Sequence, residues 1–197
     1  MKNLIFSCLC AMLLLTLSAC ETSHHETSAP ISPISVCHET KGVELSLGMS
    51  SKEVERALTS KDILPKDVQK PTEPALLWSA IYGNGEDKIT ILYDVKTDTV
   101  VQIKIEPSSK GDYTSSWRTG GVISLGATKE ELTKAYGDAE ERNSVFSYQY
   151  DLNSNANSDN GTAIAGFHLD ESHRVDYLYV INADPNFYGK DTSLTSP

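Results

Sequence analysis

Leu47-Gly48-Met49-Ser50-Ser51-Lys52-Glu53-Val54-Glu55-Arg56-Ala57-Leu58 aligns without gaps on Leu125-Gly126-Ala127-Thr128-Lys129-Glu130-Glu131-Leu132-Thr133-Lys134-Ala135-Tyr136. Each segment opens with Leu-Gly, passes into Ser/Thr-x-x-Glu and continues with apolar residues at helical spacing. The Ser50 or Thr128 hydroxyl can accept the amide proton three residues on. Glu53 or Glu131 can then reach back to the cap amide, so that two donors open at a helix start are satisfied. Val54, Ala57 and Leu58 fall on one helical stripe, as do Leu132, Ala135 and Tyr136. Gly137 is placed to end the second helix in a left-handed turn. The first helix has no such glycine and is expected to fray into Thr59-Ser60-Lys61.

Outward from each helix the pattern shifts to the alternation of strands. In the first copy the expected strands are Leu77 to Tyr82, Lys88 to Asp94 and Thr99 to Glu106, with turns at Gly83-Asn84-Gly85 and Lys96-Thr97-Asp98. In the second they are Val145 to Leu152, Thr162 to Asp170 and Arg174 to Asn182. There the polar run Asn153 to Gly161 and Glu171-Ser172-His173 take the turn positions. The closing strands Val100-Val101-Gln102-Ile103-Lys104-Ile105 and Val175-Asp176-Tyr177-Leu178-Tyr179-Val180 share the pattern Val-x-x-(Ile/Leu)-x-(Ile/Val). The predicted fold class is α+β, as two tandem repeats (41–106 and 121–183) of one helix plus a three-stranded antiparallel sheet. A connector, 107–120, joins them, and a polar tail, 184–197, follows.

The N-terminus carries a different message. One charge at Lys2 precedes the apolar run Leu4 to Leu17, which closes on Leu17-Ser18-Ala19-Cys20. A basic start, a short apolar core and small residues before a cut describe a secretory signal peptide over 1–19. The run is shorter than the roughly 20 residues that span a bilayer comfortably. Leu-Ser-Ala-Cys resembles the bacterial lipobox at all four positions. That resemblance implies diacylglycerol on the Cys20 thiol, and each buried methylene of such chains contributes about 0.8 kcal/mol to membrane anchoring. Glu21 after the cysteine resembles the sorting pattern for the Gram-negative outer membrane, on its periplasmic side. In a Gram-positive cell the same anchor implies the outer face of the plasma membrane.

Cys8 and Cys10 leave with the signal, so Cys37 is the one thiol remaining in the body and no internal disulfide can form. It is free, or joins two chains. The stretch 20–40 is rich in Ser, Thr, Pro, His and Glu and reads as a tether with a span of roughly 25 Å. His24, His25 and the Cys37-His38 pair lack the spacing and second pair of a metal site and read as solvated tether residues. The formal net charge is −10 and grows by one more negative unit when Lys2 is removed. Such a surface disfavours nucleic acid and adhesion to anionic lipid, and suits either a soluble body held off a membrane or one that meets a basic partner.

With the repeat, the aromatic strand and the Val-x-x-(Ile/Leu)-x-(Ile/Val) strand in hand, the body resembles the superfamily of BamE-like outer-membrane lipoproteins and β-lactamase-inhibitory proteins. The resemblance spans most of Lys41 to Asn182 in two copies, as the inhibitory proteins are built. Those proteins hold each copy with a disulfide and BamE-like proteins usually have one copy, so this chain departs from both. The resemblance implies a non-enzymatic protein-binding module: a scaffold in outer-membrane assembly, or an inhibitor or immunity protein against a basic secreted enzyme.

No nucleophile elbow, His-Glu-x-x-His motif or P-loop is present. Asp151 to Thr162 resembles a calcium loop, but Ala156 stands where the EF-hand needs glycine and Thr162 where it needs glutamate. No catalytic residue, metal or cofactor is therefore assigned, and a hydrolase or metal-handling protein is the contrasting class. Strand parity carries the site reading. Ile91, Ile103, Ile105, Phe167, Leu178 and Val180 are expected to face the helices. Leu92, Gln102, Lys104, His168, Tyr177 and Tyr179 should then occupy the open face, with either Tyr148 or Tyr150 beside them. Exposed tyrosines offer large rigid contact area at low entropy cost. The alternative is that the copies pack their sheets together and bury these rings. Tyr113 and Trp117 in the connector either extend the surface or seal the joint.

Overall fold

The computed structural model describes residues 34–70, 76–151 and 161–183, all within the second of the chain's two compact units, Ile31–Pro197. Both capping boxes form. Ser50 accepts from the Glu53 amide and Thr128 from the Glu131 amide, while each glutamate returns a carboxylate to the cap amide at 2.8 Å. They open α1 (Ser51–Thr59) and α2 (Lys129–Tyr136). α1 buries Val54 and Leu58, and α2 buries Leu132, with Tyr136 half-buried. Ala135, expected on the apolar stripe, is exposed instead. Gly137 does stop α2 at a positive φ, yet its ψ of −156° lies outside the left-handed helical region. α1 does not fray. The amides of Lys61 and Ile63 both bond to the Leu58 carbonyl, Asp62 takes φ 58°, and Ile63 is buried just beyond.

The predicted α+β class with two tandem helix-plus-three-stranded repeats does not hold; the described chain is mostly β. One sheet of eight strands runs in the order β3-β4-β5-β6-β11-β10-β9-β8. Its members are β3 (Pro65–Gln69), β4 (Leu77–Tyr82), β5 (Ile89–Asp94), β6 (Val100–Ile105), β8 (Glu140–Arg142), β9 (Val145–Asp151), β10 (Thr162–Leu169) and β11 (Val175–Asn182). The two closing strands are not edges of separate sheets. They pair antiparallel, with Leu178 opposite Ile105 and Val180 opposite Ile103. The physical reason lies in those strands themselves. An alternating Val-x-x-Ile-x-Ile strand left unpaired would present a long, apolar hydrogen-bonding edge, and joining two of them removes both. The remaining edges are short and charged: Pro65 opens β3, and β8 reads Glu140-Glu141-Arg142. Neither edge strand alternates, which is why the sequence pattern misses both.

A second sheet, in the order β2-β1-β7, comprises β1 (Ser35–His38), β2 (Glu44–Ser46) and β7 (Trp117–Thr119). β1 lies inside the stretch expected to be tether, and β7 inside the connector. Val36, Leu45 and Trp117 from this sheet join Val54, Leu58 and Leu132 from the helices in one core with Ile91, Ile103, Phe167, Leu178 and Val180 of the large sheet. The helices and the small sheet therefore share one face of the eight strands.

Candidate functional site: the other face of the large sheet

Side chains alternate across a strand, so the registers identify which residues are placed opposite the core. One row runs Ile81, Thr90, Lys104, Tyr179, Gly166, Ser147; the next runs Ser79, Leu92, Gln102, Ile181, Ile164, Gln149. Beside the first row, Tyr177 stands opposite His168, and His168 opposite Val145. Tyr177, Tyr179 and His168 are each partly exposed, whereas Leu178 and Val180 are fully buried.

The rings of these three residues form a continuous group. His168 and Tyr177 have centroids 5.3 Å apart and planes 15° apart; Tyr177 and Tyr179 are 6.0 Å and 23° apart. Gly166 determines how the group lies. A Cβ there would stand 2.2 Å from Tyr179 Cζ and 2.5 Å from both Cε1 and Oη. Being nearest the ring carbon and equally farther from its two bonded neighbours, that position is over the ring's face. Tyr179 therefore rests face-down on the glycine backbone, with its other face outward. The two further rings are tilted little from it and follow it in an offset stack, and this stepped aromatic surface is the platform.

Charges border the platform. Lys104 places Nζ 5.4 Å from the Tyr177 ring centroid and 2.8 Å from Glu106 Oε1. Asp176 binds His168 Nδ1 through Oδ1. The register shifts at this point, with His168 opposite Tyr177 but Leu169 opposite Val175, so Asp176 has no residue across from it. Burial, then the Asp176 and Glu106 carboxylates, raise the Tyr177 phenol above its ordinary range. Burial likewise raises Tyr179, with Tyr177 adding to it and the Ser147 hydroxyl opposing it. Both phenols are neutral at physiological pH.

Tyr148 and Tyr150 do not flank the platform. Being two residues apart they share a face, and that face is the core side: Phe146 pairs with Phe167 and Tyr148 with Ala165. Tyr148 is 6% exposed and donates to the Gly137 carbonyl at 3.2 Å. It packs edge-on to Tyr136 and Phe167, and Tyr150 packs half-buried against the same core. Burial raises the phenols of Tyr136 and Tyr148 to about 12. Cys20 lies outside the described residues, as do the signal segment and the polar tail.

A groove of about 790 Å³ adjoins the platform, lined by Tyr113, Lys129, Phe146, His168, Asp170 and Asp176 among others. Tyr113 donates to Asp170 Oδ2. That bond and the backbone amides of Arg174 and Ser172 hold the Asp170 carboxyl below its usual range. Asp170 is thus committed to neighbours within the fold. Among the described residues no group of three or more His, Cys, Asp or Glu is arranged to hold a metal ion. Nor is any described helix long and apolar enough to cross a membrane.

Trp117, expected either to extend the surface or to seal a joint, is buried in a junction, and His38, expected as a solvated tether residue, is buried with it. Trp117 is fully buried, donates Nε1–H to the Asp87 carbonyl at 2.9 Å, and meets His38 edge-on at 4.8 Å. His38 is 2% exposed, with Nε2 2.8 Å from Asp87 Oδ1, while Lys41 Nζ reaches Oδ2 at 2.7 Å. His38 Nδ1 accepts from the Lys41 amide, so Nε2 carries the hydrogen that Asp87 receives. Burial pushes the Asp87 carboxyl up, but the Lys41 and His38 bonds outweigh it and hold it low. The available signal was the alternation of Val36 and His38 with a tryptophan elsewhere in an otherwise polar segment. The free thiol of Cys37, on the same strand, is raised by burial and then by Glu44, which disfavours the reactive thiolate.

No family model, curated protein or solved structure matches the chain.

Proposed function

We propose that this protein is an envelope lipoprotein, anchored through lipid on Cys20, that acts as a non-enzymatic protein-binding module. The observation that carries the reading is the partly exposed platform of His168, Tyr177 and Tyr179 on the sheet face opposite the core. The strand beneath it buries Leu178 and Val180 completely, so the backbone under the rings is held by the core. Rigid amphipathic rings on such a base lose little entropy on binding, which is what an anchor residue at a protein interface requires. The lipobox-like Leu17-Ser18-Ala19-Cys20 supports the anchor, and Glu21 supports the outer membrane, periplasmic side, as its location.

Two partners suit the surface. One is another envelope protein, with this chain as an assembly scaffold, in keeping with the BamE-like sequence pattern. The other is a basic secreted enzyme that the chain inhibits, a reading favoured by the net charge of −10. The deciding experiment is crosslinking and pull-down from intact cells, comparing the native protein with a Tyr177→Ala/Tyr179→Ala version. A specific partner lost in the double variant supports binding through this face. No difference between the two samples overturns it, and turnover or bound metal in the purified protein would move it to the hydrolase or metal-handling class.

A further inference from the structure

The platform already holds a cation, and its surroundings indicate which chemistry it accepts. Lys104 Nζ stands over the Tyr177 ring at 5.4 Å from the centroid and within 2.8 Å of Glu106 Oε1. Asp176, bonded to His168 Nδ1 and acting electrostatically on the Tyr177 phenol, supplies a second carboxylate at the stack. Aromatic faces attract cations through the negative face of the ring, and Arg is the side chain that most often uses that attraction. A planar guanidinium can stack on a tyrosine or imidazole ring while its edge donates to a carboxylate, which a compact ammonium cannot do in the same way.

We infer that the platform recognises an arginine of a basic partner, stacked on Tyr177 and its neighbouring rings and bonded at its edge to Glu106 and Asp176. The inference rests on the protein-binding reading above and specifies its chemistry. Lys104 is then an internal stand-in for the incoming cation. It occupies the same ring face and the same carboxylate, so it competes with the partner and must swing aside. The fold permits this, because Lys104 and Glu106 are both partly exposed and neither is part of the core. An oligosaccharide also stacks on aromatic platforms, but a sugar gives no account of a cation seated on the ring and paired with a carboxylate.

The competition makes the inference testable with a minimal probe. N-acetyl-arginine amide is titrated into the detergent-extracted full chain while the ring resonances of His168, Tyr177 and Tyr179 are followed by NMR. N-acetyl-citrulline amide, which keeps the shape and loses the charge, is the control. The expected result is saturable shifts of these three rings with arginine, on the order of millimolar affinity for a single contact, and none with citrulline. Lys104→Ala should tighten arginine binding roughly three-fold, whereas Glu106→Gln/Asp176→Asn should weaken it by a similar factor or more. Weaker binding in Lys104→Ala, equal binding of citrulline, or arginine shifts spread evenly over surface carboxylates would each overturn it. Saturable ring shifts with a chitin trisaccharide and none with arginine would replace it with glycan binding. Should the cell pull-down yield a partner that depends on Tyr177 and Tyr179 while arginine fails here, the protein-binding reading stands and this inference falls.

Discussion

Tyr179 lies face-down on Gly166, the residue directly opposite it on the neighbouring strand. A glycine inside a strand normally weakens it, since nothing packs there and the chain loses more entropy. Here the ring of Tyr179 covers the gap and is itself set flat, so the two residues act as one unit.

That relationship predicts a coupled pair of mutations. Gly166→Ala places a methyl 2.2 Å from Tyr179 Cζ and must lift the ring. The obstructing atoms are the far end of a partly exposed side chain, so the cost is expected to stay at about 1 kcal/mol, the low end for overpacking, which thermal or urea unfolding will measure. Adding Tyr179→Ala should restore part of that loss, because the clash then has no second party. Additive destabilisation in the double variant would show that the ring is not what excludes the methyl.

Alternate residues of β11 should separate function from folding. Tyr177→Ala and Tyr179→Ala together are expected to abolish capture of the partner and leave a cooperatively folded protein. Leu178→Ala, one residue between them but fully buried, should cost about 2–5 kcal/mol in unfolding experiments. Partner capture unaffected by the tyrosine pair would remove the platform from function.

The junction at Trp117 makes a graded prediction. Trp117→Ala removes a fully buried indole and is expected to cost about 3–5 kcal/mol. Trp117→Phe retains most of the packing but leaves the Asp87 carbonyl without its indole donor, and should cost less. His38→Ala should destabilise by a route that reports on Asp87, since it removes one of the two side chains bonded to that carboxylate.

The pH dependence has two ends. Asp87 and Asp170 have depressed pKa values in the fold. On acidification the unfolded chain takes up protons at these positions before the native one does. Their contribution is present above the ordinary aspartate value of about 3.9 and is lost as pH falls through the lower native values. Tyr136 and Tyr148 are raised to about 12. Their phenols ionise in the unfolded chain from about 10, so stability is expected to fall as pH rises from there towards 12. Phenolate absorbance recorded alongside circular dichroism will check this: ionisation of these two rings below 11 with the fold intact would contradict it.

Ser50→Ala and Thr128→Ala each remove a helix cap and are expected to cost about 1 kcal/mol, measured as a lower denaturation midpoint. Equal costs at the two sites would reflect the equivalent cap geometry of α1 and α2.

The sequence by itself determined what local chemistry controls. The capping boxes, the six strands with clear alternation and the sides taken by Ile103, Ile105, Tyr177 and Leu178 follow from neighbours within a few residues. Equal parity puts Tyr148 and Tyr150 on one face, but the expectation that either would join the open face failed, because the core side claimed both. Only the tertiary structure decided the rest. Pairing β6 with β11 makes one sheet where two were expected, and it joins residues more than 70 positions apart whose local patterns are satisfied in either arrangement. β3 and β8 are strands because a neighbour offers them an edge, and their own polar residues carry no alternation. The same holds at the junction, where His38 becomes buried through Asp87, 49 residues away. A burial environment assembled from distant segments leaves no periodic trace in any one of them, and that is why the platform's residues were readable while its geometry on Gly166 was not.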